Sequence, residues 1–233
     1  LFARKIGGRV MPAFISPSGL DSALQPWLAR NKIAWFNPPG NSTTVQVVGL
    51  NLTATGVATA ANVGTNNIHE AVRRLEYAIT TASTTAAAGI RSTALQFHIG
   101  AAGTPYGGFT FAARFGPSRG VAANATRRFF AGFSGLVNVP VDVNPSTEAN
   151  AVGVGADSTD TNWQIIHRTG VATATKIDTG IPKAAADASE LYEVVLFAAP
   201  TGAPQVSYRF TRLSDGVFFS GTITTNLPAA TQL

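Results

Sequence analysis

The sequence predicts a mainly β protein: an antiparallel two-sheet β-sandwich, jelly-roll-like, with one short helix and an extended N-terminal segment. Three observations carry this. From residue 90 onward, nine apolar runs of five to eight residues alternate with turn clusters rich in Gly, Pro, Asn, Asp and Ser, the pattern of strands in a sandwich. Ser214-Asp215-Gly216 separates two of these runs, and Asp-Gly supplies the positive φ that tight hairpins need. Hydrophobic residues make up 45% of the 233-residue chain, enough to bury a sizeable core, so disorder is not expected over most of its length.

In chain order, residues 1–66 read as an N-terminal arm or connector with short strands. Leu1–Val10 suits a turn of helix or an extended arm, and Leu20–Trp27 a short helix capped by Ser18 or Asp21. Pro12 and Pro17 break the segment between them by fixing φ and removing backbone donors. Phe14, Trp27, Trp35 and Phe36 recur between such breakers, as in a segment that lies against another surface. Val45–Leu52 alternates in part, and Val57–Val63 is a second candidate strand.

Residues 67–89 read as a helix and linker. Ile68, Val72, Leu75 and Ile79 fall on one face of a 3.6-residue period over 67–80. Asn67 stands as N-cap with Glu70 three residues later. Residues 90–233 form the sandwich domain. Its expected strands are Ala94–Ile99, Gly108–Phe115, Arg128–Ser134, Ala151–Ala156, Trp163–Arg168, Ala174–Asp178, Tyr192–Ala198, Val206–Leu213 and Val217–Thr224. Phe129, Phe130, Phe133 and Trp163 are expected to supply its buried area.

Charged residues are 12% of the chain, about half the ordinary share of roughly 25%. A surface so poor in charge points to assembly, or to a coat of neutral hydroxyls and amides. The net charge is +5, but the basic residues are scattered, with no sustained run interleaved with aromatics, so specific nucleic-acid binding is not expected. Weak attraction to an anionic surface is allowed. The absence of cysteine removes disulfides, thiolate chemistry and cysteine-ligated metals. No apolar run reaches the ~20 residues that span a bilayer, and membrane insertion is not expected. A chain that begins at Leu1 reads as a fragment or processed product of a longer protein.

No motif asks for a cofactor. His69-Glu70 begins like a zinc-protease helix, but Arg73 stands where the second histidine is required. His98 and His167 have no acidic partner at ligand spacing. No G-x-S-x-G elbow or Walker loop occurs. The acidic residues of the β region, Asp142 to Asp215, stand mostly in turns, and nothing in their spacing pairs two of them for glycoside hydrolysis. Asp157, Asp160 and Asn162 share one turn. Such oxygens at close spacing suit calcium, but the later Gly and terminal Glu of a calcium loop are missing, and capping of a hairpin explains them. No metal is therefore expected. Tyr106, Phe109, Trp163 and Tyr192 are candidates to stack on a sugar. The residues singled out for ligand or receptor contact are Asp157, Asp160, Asn162 and Tyr106.

Several runs resemble segments of structural proteins of tailed bacteriophages. They are Ala3-Arg4-Lys5-Ile6-Gly7-Gly8-Arg9, Met11-Pro12-Ala13-Phe14-Ile15, Pro17-Ser18-Gly19-Leu20-Asp21 and Leu28-Ala29-Arg30-Asn31-Lys32 near the start. Later come Phe130-Ala131-Gly132-Phe133-Ser134, Asn144-Pro145-Ser146-Thr147, Val152-Gly153-Val154-Gly155 and Leu191–Ala198. The resemblance implies a tail-fibre or receptor-binding module of the virion, non-enzymatic and homo-oligomeric, commonly trimeric. Its implied partners are other virion proteins and a host-surface glycan, and its implied place is the virion, assembled in the host bacterial cytoplasm. It brings no catalytic residues. Two alternatives stand beside it: a capsid decoration or head-fibre protein, and a glycan-degrading tail protein.

Overall fold

The computed structural model describes residues 3–6, 9–12, 35–36, 47–48, 52–61, 74–78, 87–92, 94–100, 107–116, 127–138, 140–183, 190–199 and 203–228. The chain forms two compact units, Leu1–Asn37 with Val45–Asn51, and Pro38–Thr44 with Leu52–Leu233. In the first, β1 (Ala3–Ile6) pairs antiparallel with β2 (Arg9–Pro12), so this stretch is extended rather than helical. β3 (Trp35–Phe36) pairs with β4 (Val47–Val48). The expected helix Leu20–Trp27 lies outside the described residues.

In the second unit, β5 (Leu52–Thr55), β6 (Val57–Ala61), β7 (Arg74–Ala78) and β8 (Gly89–Ser92) form two ladders, β5 with β8 and β6 with β7. The run read as Val45–Leu52 is thus divided between β4 and β5. The helix expected over 67–80 is corrected at its centre, because Arg74–Ala78 is a strand. The remainder of that helix lies outside the described residues. The physical reason is a double pattern. Leu75, Tyr77 and Ile79 stand two apart, which fits a strand as well as a helix. Pairing with Val57–Ala61 decides between them.

The rest of the unit is the sandwich, built of β9 (Phe109–Phe115), β10 (Phe129–Phe133), β11 (Ala151–Ala156), β12 (Asn162–Arg168), β13 (Thr175–Pro182), β14 (Tyr192–Ala198), β15 (Val206–Arg212) and β16 (Phe218–Ile223). Sheet I has the order β10-β11-β12-β13 and sheet II the order β16-β15-β14-β9, all antiparallel. The chain passes between sheets only twice, after β9 and after β13. Each sheet is therefore mainly a meander, a plainer connectivity than a jelly roll. Among the described residues the only helical element is the 3-10 turn Pro145–Thr147.

The core lies between the sheets. Val152, Val154 and Ile165 of sheet I meet Val194, Leu196, Val206 and Phe210 of sheet II in one buried cluster. Two aromatic groups anchor it. The Trp163 ring stands 5.1 Å from Tyr192, 5.4 Å from Phe129 and 5.8 Å from Phe210. Phe133 lies 4.3 Å from Phe109 and 5.3 Å from Phe97. Such pairs add to the area they bury through quadrupole geometry.

Ala94–Ile99, expected as a strand, makes no ladder. Phe97 and Ile99 do pack with the core, but among the described residues no strand runs beside them. The segment ends where Gly100 and Gly107 touch: a Cβ on Gly107 would stand 2.3 Å from the Gly100 Cα. The Gly108 N–H donates to the His98 carbonyl at 2.9 Å beside this contact. The Ser214-Asp215-Gly216 turn forms as read, with Gly216 at φ 74° and the Arg212 N–H donating to the Val217 carbonyl at 2.8 Å.

Candidate functional site

The turn between β11 and β12 is the polar hub of the sandwich. The Asp160 N–H donates to the Asp157 carbonyl at 3.2 Å, and the Asp160 carboxylate accepts from the Asp157 N–H at 2.8 Å. The turn thus closes on its own side chain, as Asx geometry allows. Asp157 is buried, 4% exposed, and its carboxylate accepts from the Ser146 N–H (3.1 Å), the Ser146 hydroxyl (2.7 Å) and the Lys176 ammonium (3.0 Å). Lys176 Nζ also donates to Asp160 at 2.5 Å. The ammonium therefore bridges the two carboxylates, where a calcium ion would have been needed. Among the described residues no group of three or more His, Asp or Glu is arranged to hold a metal.

Electrostatics follow from this packing. Burial by itself would raise the Asp157 carboxyl, but the Ser146 and Lys176 donors outweigh it and hold it below the usual range. Burial would lower Lys176, but Asp160 and Asp157 outweigh it and raise the ammonium. Lys183 is the reverse case. It is 8% exposed, and burial lowers it against the pull of Asp160 and Asp157. Its ammonium donates to two carbonyls, Asp157 at 2.8 Å and Arg127 at 3.2 Å.

The hub extends to the loop before β11. Asn144 Oδ1 accepts from the Ser158 N–H at 3.1 Å and from Arg128 Nε at 2.8 Å, and Arg128 Nη1 pairs with Asp142 at 2.7 Å. Residues 140–150 are thereby tied to sheet I, where the Pro145–Thr147 turn contacts β11 and β12. The outer side of that sheet is covered over β11 and β12 and open over β13, where Lys176 and Asp178 are exposed. Phe130 spreads over Gly153 and Gly155, where added Cβ atoms would lie 2.9 and 3.1 Å from its ring, and Ile166 is fully buried. Phe130 therefore packs on the opposite side of β10 from Phe129 and Phe133, outside the inter-sheet core.

The structure brings Asp157 and Asp160 together and sets Asn162 apart. Asn162 donates to both oxygens of Asp178 at 3.0 and 3.2 Å. Tyr106 lies outside the described residues. Phe109, Trp163 and Tyr192, read as stacking candidates, are 6%, 3% and 1% exposed and belong to the core, because strand alternation turns them inward.

The open surface is elsewhere. The outer side of sheet II carries Thr110 and Ala112 on β9, Val195 and Phe197 on β14, Arg209 on β15, and Phe218, Ser220 and Thr222 on β16. Phe197 and Phe218 are exposed, and the Arg209 guanidinium stands 4.3 Å over the Phe218 ring. The same face carries the Arg114–Glu193 ion pair, at 2.7 Å and partly solvent-exposed. This face was not singled out from the sequence, although the exposed half of the β14 and β16 alternation was there to read. Compared with family models, with curated proteins and with solved structures, the chain matches none.

Proposed function

We propose that this chain is a non-enzymatic structural protein of a bacteriophage virion, a tail-fibre or host-receptor-binding module that assembles as a homo-oligomer, three copies being the fibre-like arrangement. The observation that carries the reading is the outer side of sheet II, an open surface of hydroxyls, Ala, Val and Phe on which Arg209, Arg114 and Glu193 leave little net charge. Such a surface suits contact with another protein. Ion pairing of five carboxylates supports a non-catalytic role for them. Asp157 and Asp160 are held by Lys176, Asp142 by Arg128, Glu193 by Arg114 and Asp215 by Arg212. In this reading the partners are further copies, other virion proteins and a host-surface glycan, the last favoured by the net charge of +5.

Light scattering on the purified chain tests the assembly, with a multiple of 24.1 kDa expected; a strict monomer counts against it. Antibody labelling of intact particles tests the address. Label on the tail is expected, and label on the capsid would move the protein to a decoration or head-fibre role. New reducing ends after incubation with host polysaccharide would overturn the non-enzymatic assignment.

A further inference from the structure

We propose that β16 is a self-pairing edge, through which two copies of this chain join their second sheets into one continuous eight-stranded sheet. The proposal rests on the homo-oligomeric part of the reading above, with two copies in place of the three of a fibre, and not on the virion. β16 is the outermost strand of sheet II. In an antiparallel ladder, backbone groups point alternately toward and away from the neighbour. The Arg212 N–H bonds the Val217 carbonyl, and the register runs Phe210↔Phe219 and Tyr208↔Gly221. The N–H and C=O groups of Phe218, Ser220 and Thr222 therefore point away from β15. A row of unpaired groups on an edge is a template for a further strand.

Folded proteins usually guard such edges, and this one guards the edge next door. β13, which packs against β16, carries Lys176 and Asp178, turns at Gly180 with φ 69° and ends on Pro182. β16 has none of these devices. Residues 216–225, GVFFSGTITT, contain no charge and no proline, and Phe218 is 55% exposed.

The occupant is a second copy because the strand is complementary to itself. A two-fold axis at Ser220 sets Phe218 opposite the partner's Thr222, and Phe219 opposite the partner's Gly221. Large residues then meet small ones, no like charges face each other, and the three outward-pointing residues of each copy are all paired. A two-fold contact of this kind is closed and isologous.

Ser220→Lys and Ser220→Glu test it, since each places two like charges opposite each other on the axis. Ser220 is exposed and its N–H faces away from β15, so both variants are expected to fold. Arg209 stands opposite Ser220 within the sheet, so Ser220→Lys should melt slightly lower than Ser220→Glu, and a single cooperative melting transition in each serves as the folding control. By light scattering the wild type is expected at twice 24.1 kDa. Either variant alone should dissociate up to about fivefold more readily, as like charges directly opposite destabilise a strand pair. An equal mixture should recover the pair, because Lys then faces Glu. Assembly that persists unchanged in Ser220→Lys, in two copies or three, overturns the β16 contact and leaves the homo-oligomer standing. A monomeric wild type overturns both.

Discussion

Sheets I and II share one core but present opposite outer sides. Sheet I is covered on both faces over its central strands: every residue of β11 is buried, as are Gln164 and Ile166 of β12, with Phe130, Pro145 and the loop tied down by Asp157 on the exterior. Its edge strand β13 leaves Lys176, Asp178 and Gly180 exposed. Sheet II keeps the ordinary alternation, with β14 and β16 exposing Phe197, Phe218, Ser220 and Thr222. The difference lies in what the chain supplies. Between β10 and β11 it inserts a loop long enough to fold back and polar enough to be fastened. β14, β15 and β16 are joined by short connections, and among the described residues none folds back over the sheet. A sheet that covers itself contributes stability, and a sheet left open contributes surface.

Substitutions on the two outer sides should separate these roles. The largest effect belongs to Ile166→Ala, which empties a fully buried site outside the inter-sheet core and should cost about 2–5 kcal/mol in chemical denaturation. Asp157→Ala comes next. It strands Ser146 and Lys176 and loosens the loop, with an expected loss of about 2–3 kcal/mol. Phe197→Ser on the open side should change stability by no more than ~0.5 kcal/mol while weakening assembly in light scattering. A large loss of stability in that variant would show that sheet II is covered as well.

Acid should tell the two outer sides apart too. The Asp157 carboxyl is held below its ordinary value in the folded chain, so the stability it contributes is present above about pH 4, where the unfolded group is ionised. That contribution is lost as pH falls through the folded value. The melting temperatures of wild type and Asp157→Asn should therefore converge on acidification below about pH 4. A constant gap down to pH 2 would remove the carboxylate from the stability of the loop. A similarly small effect is expected at Arg114→Ala on sheet II. The pair is partly solvent-exposed, and such pairs contribute about 0–1 kcal/mol.

The strands of the sandwich were legible where alternation and turn chemistry agreed. Ala151–Ala156 and Tyr192–Ala198 have the expected bounds, and Asp215-Gly216 makes its turn. The misreadings share one cause, which is that the partner decides. Leu75 and Tyr77 fit two periods until β6 is placed beside them, and Phe97 and Ile99 alternate with no strand alongside among the described residues. At the polar hub, Asp157 and Asp160 were visible as a pair. Lys176 and Lys183, which decide what that pair does, come from β13 and just beyond it, and no local pattern announces them. Phe130 looked like its neighbour Phe129, and only the glycines across the ladder show which side it takes.

The place of β9 has a consequence for biosynthesis. β11, β12 and β13 each pair with the strand made just before, so sheet I can form as it leaves the ribosome. β9 has no such neighbour. Its partner is β14, and the Arg114–Glu193 pair that joins them spans 79 residues of sequence. Until Tyr192–Ala198 emerges, Phe109, Phe111 and Phe115 stay without a ladder beside half-made sheet I. Closing so distant a contact is slow. A translational pause before residue 192 would therefore prolong the interval in which the nascent chain is prone to aggregation and most in need of a chaperone.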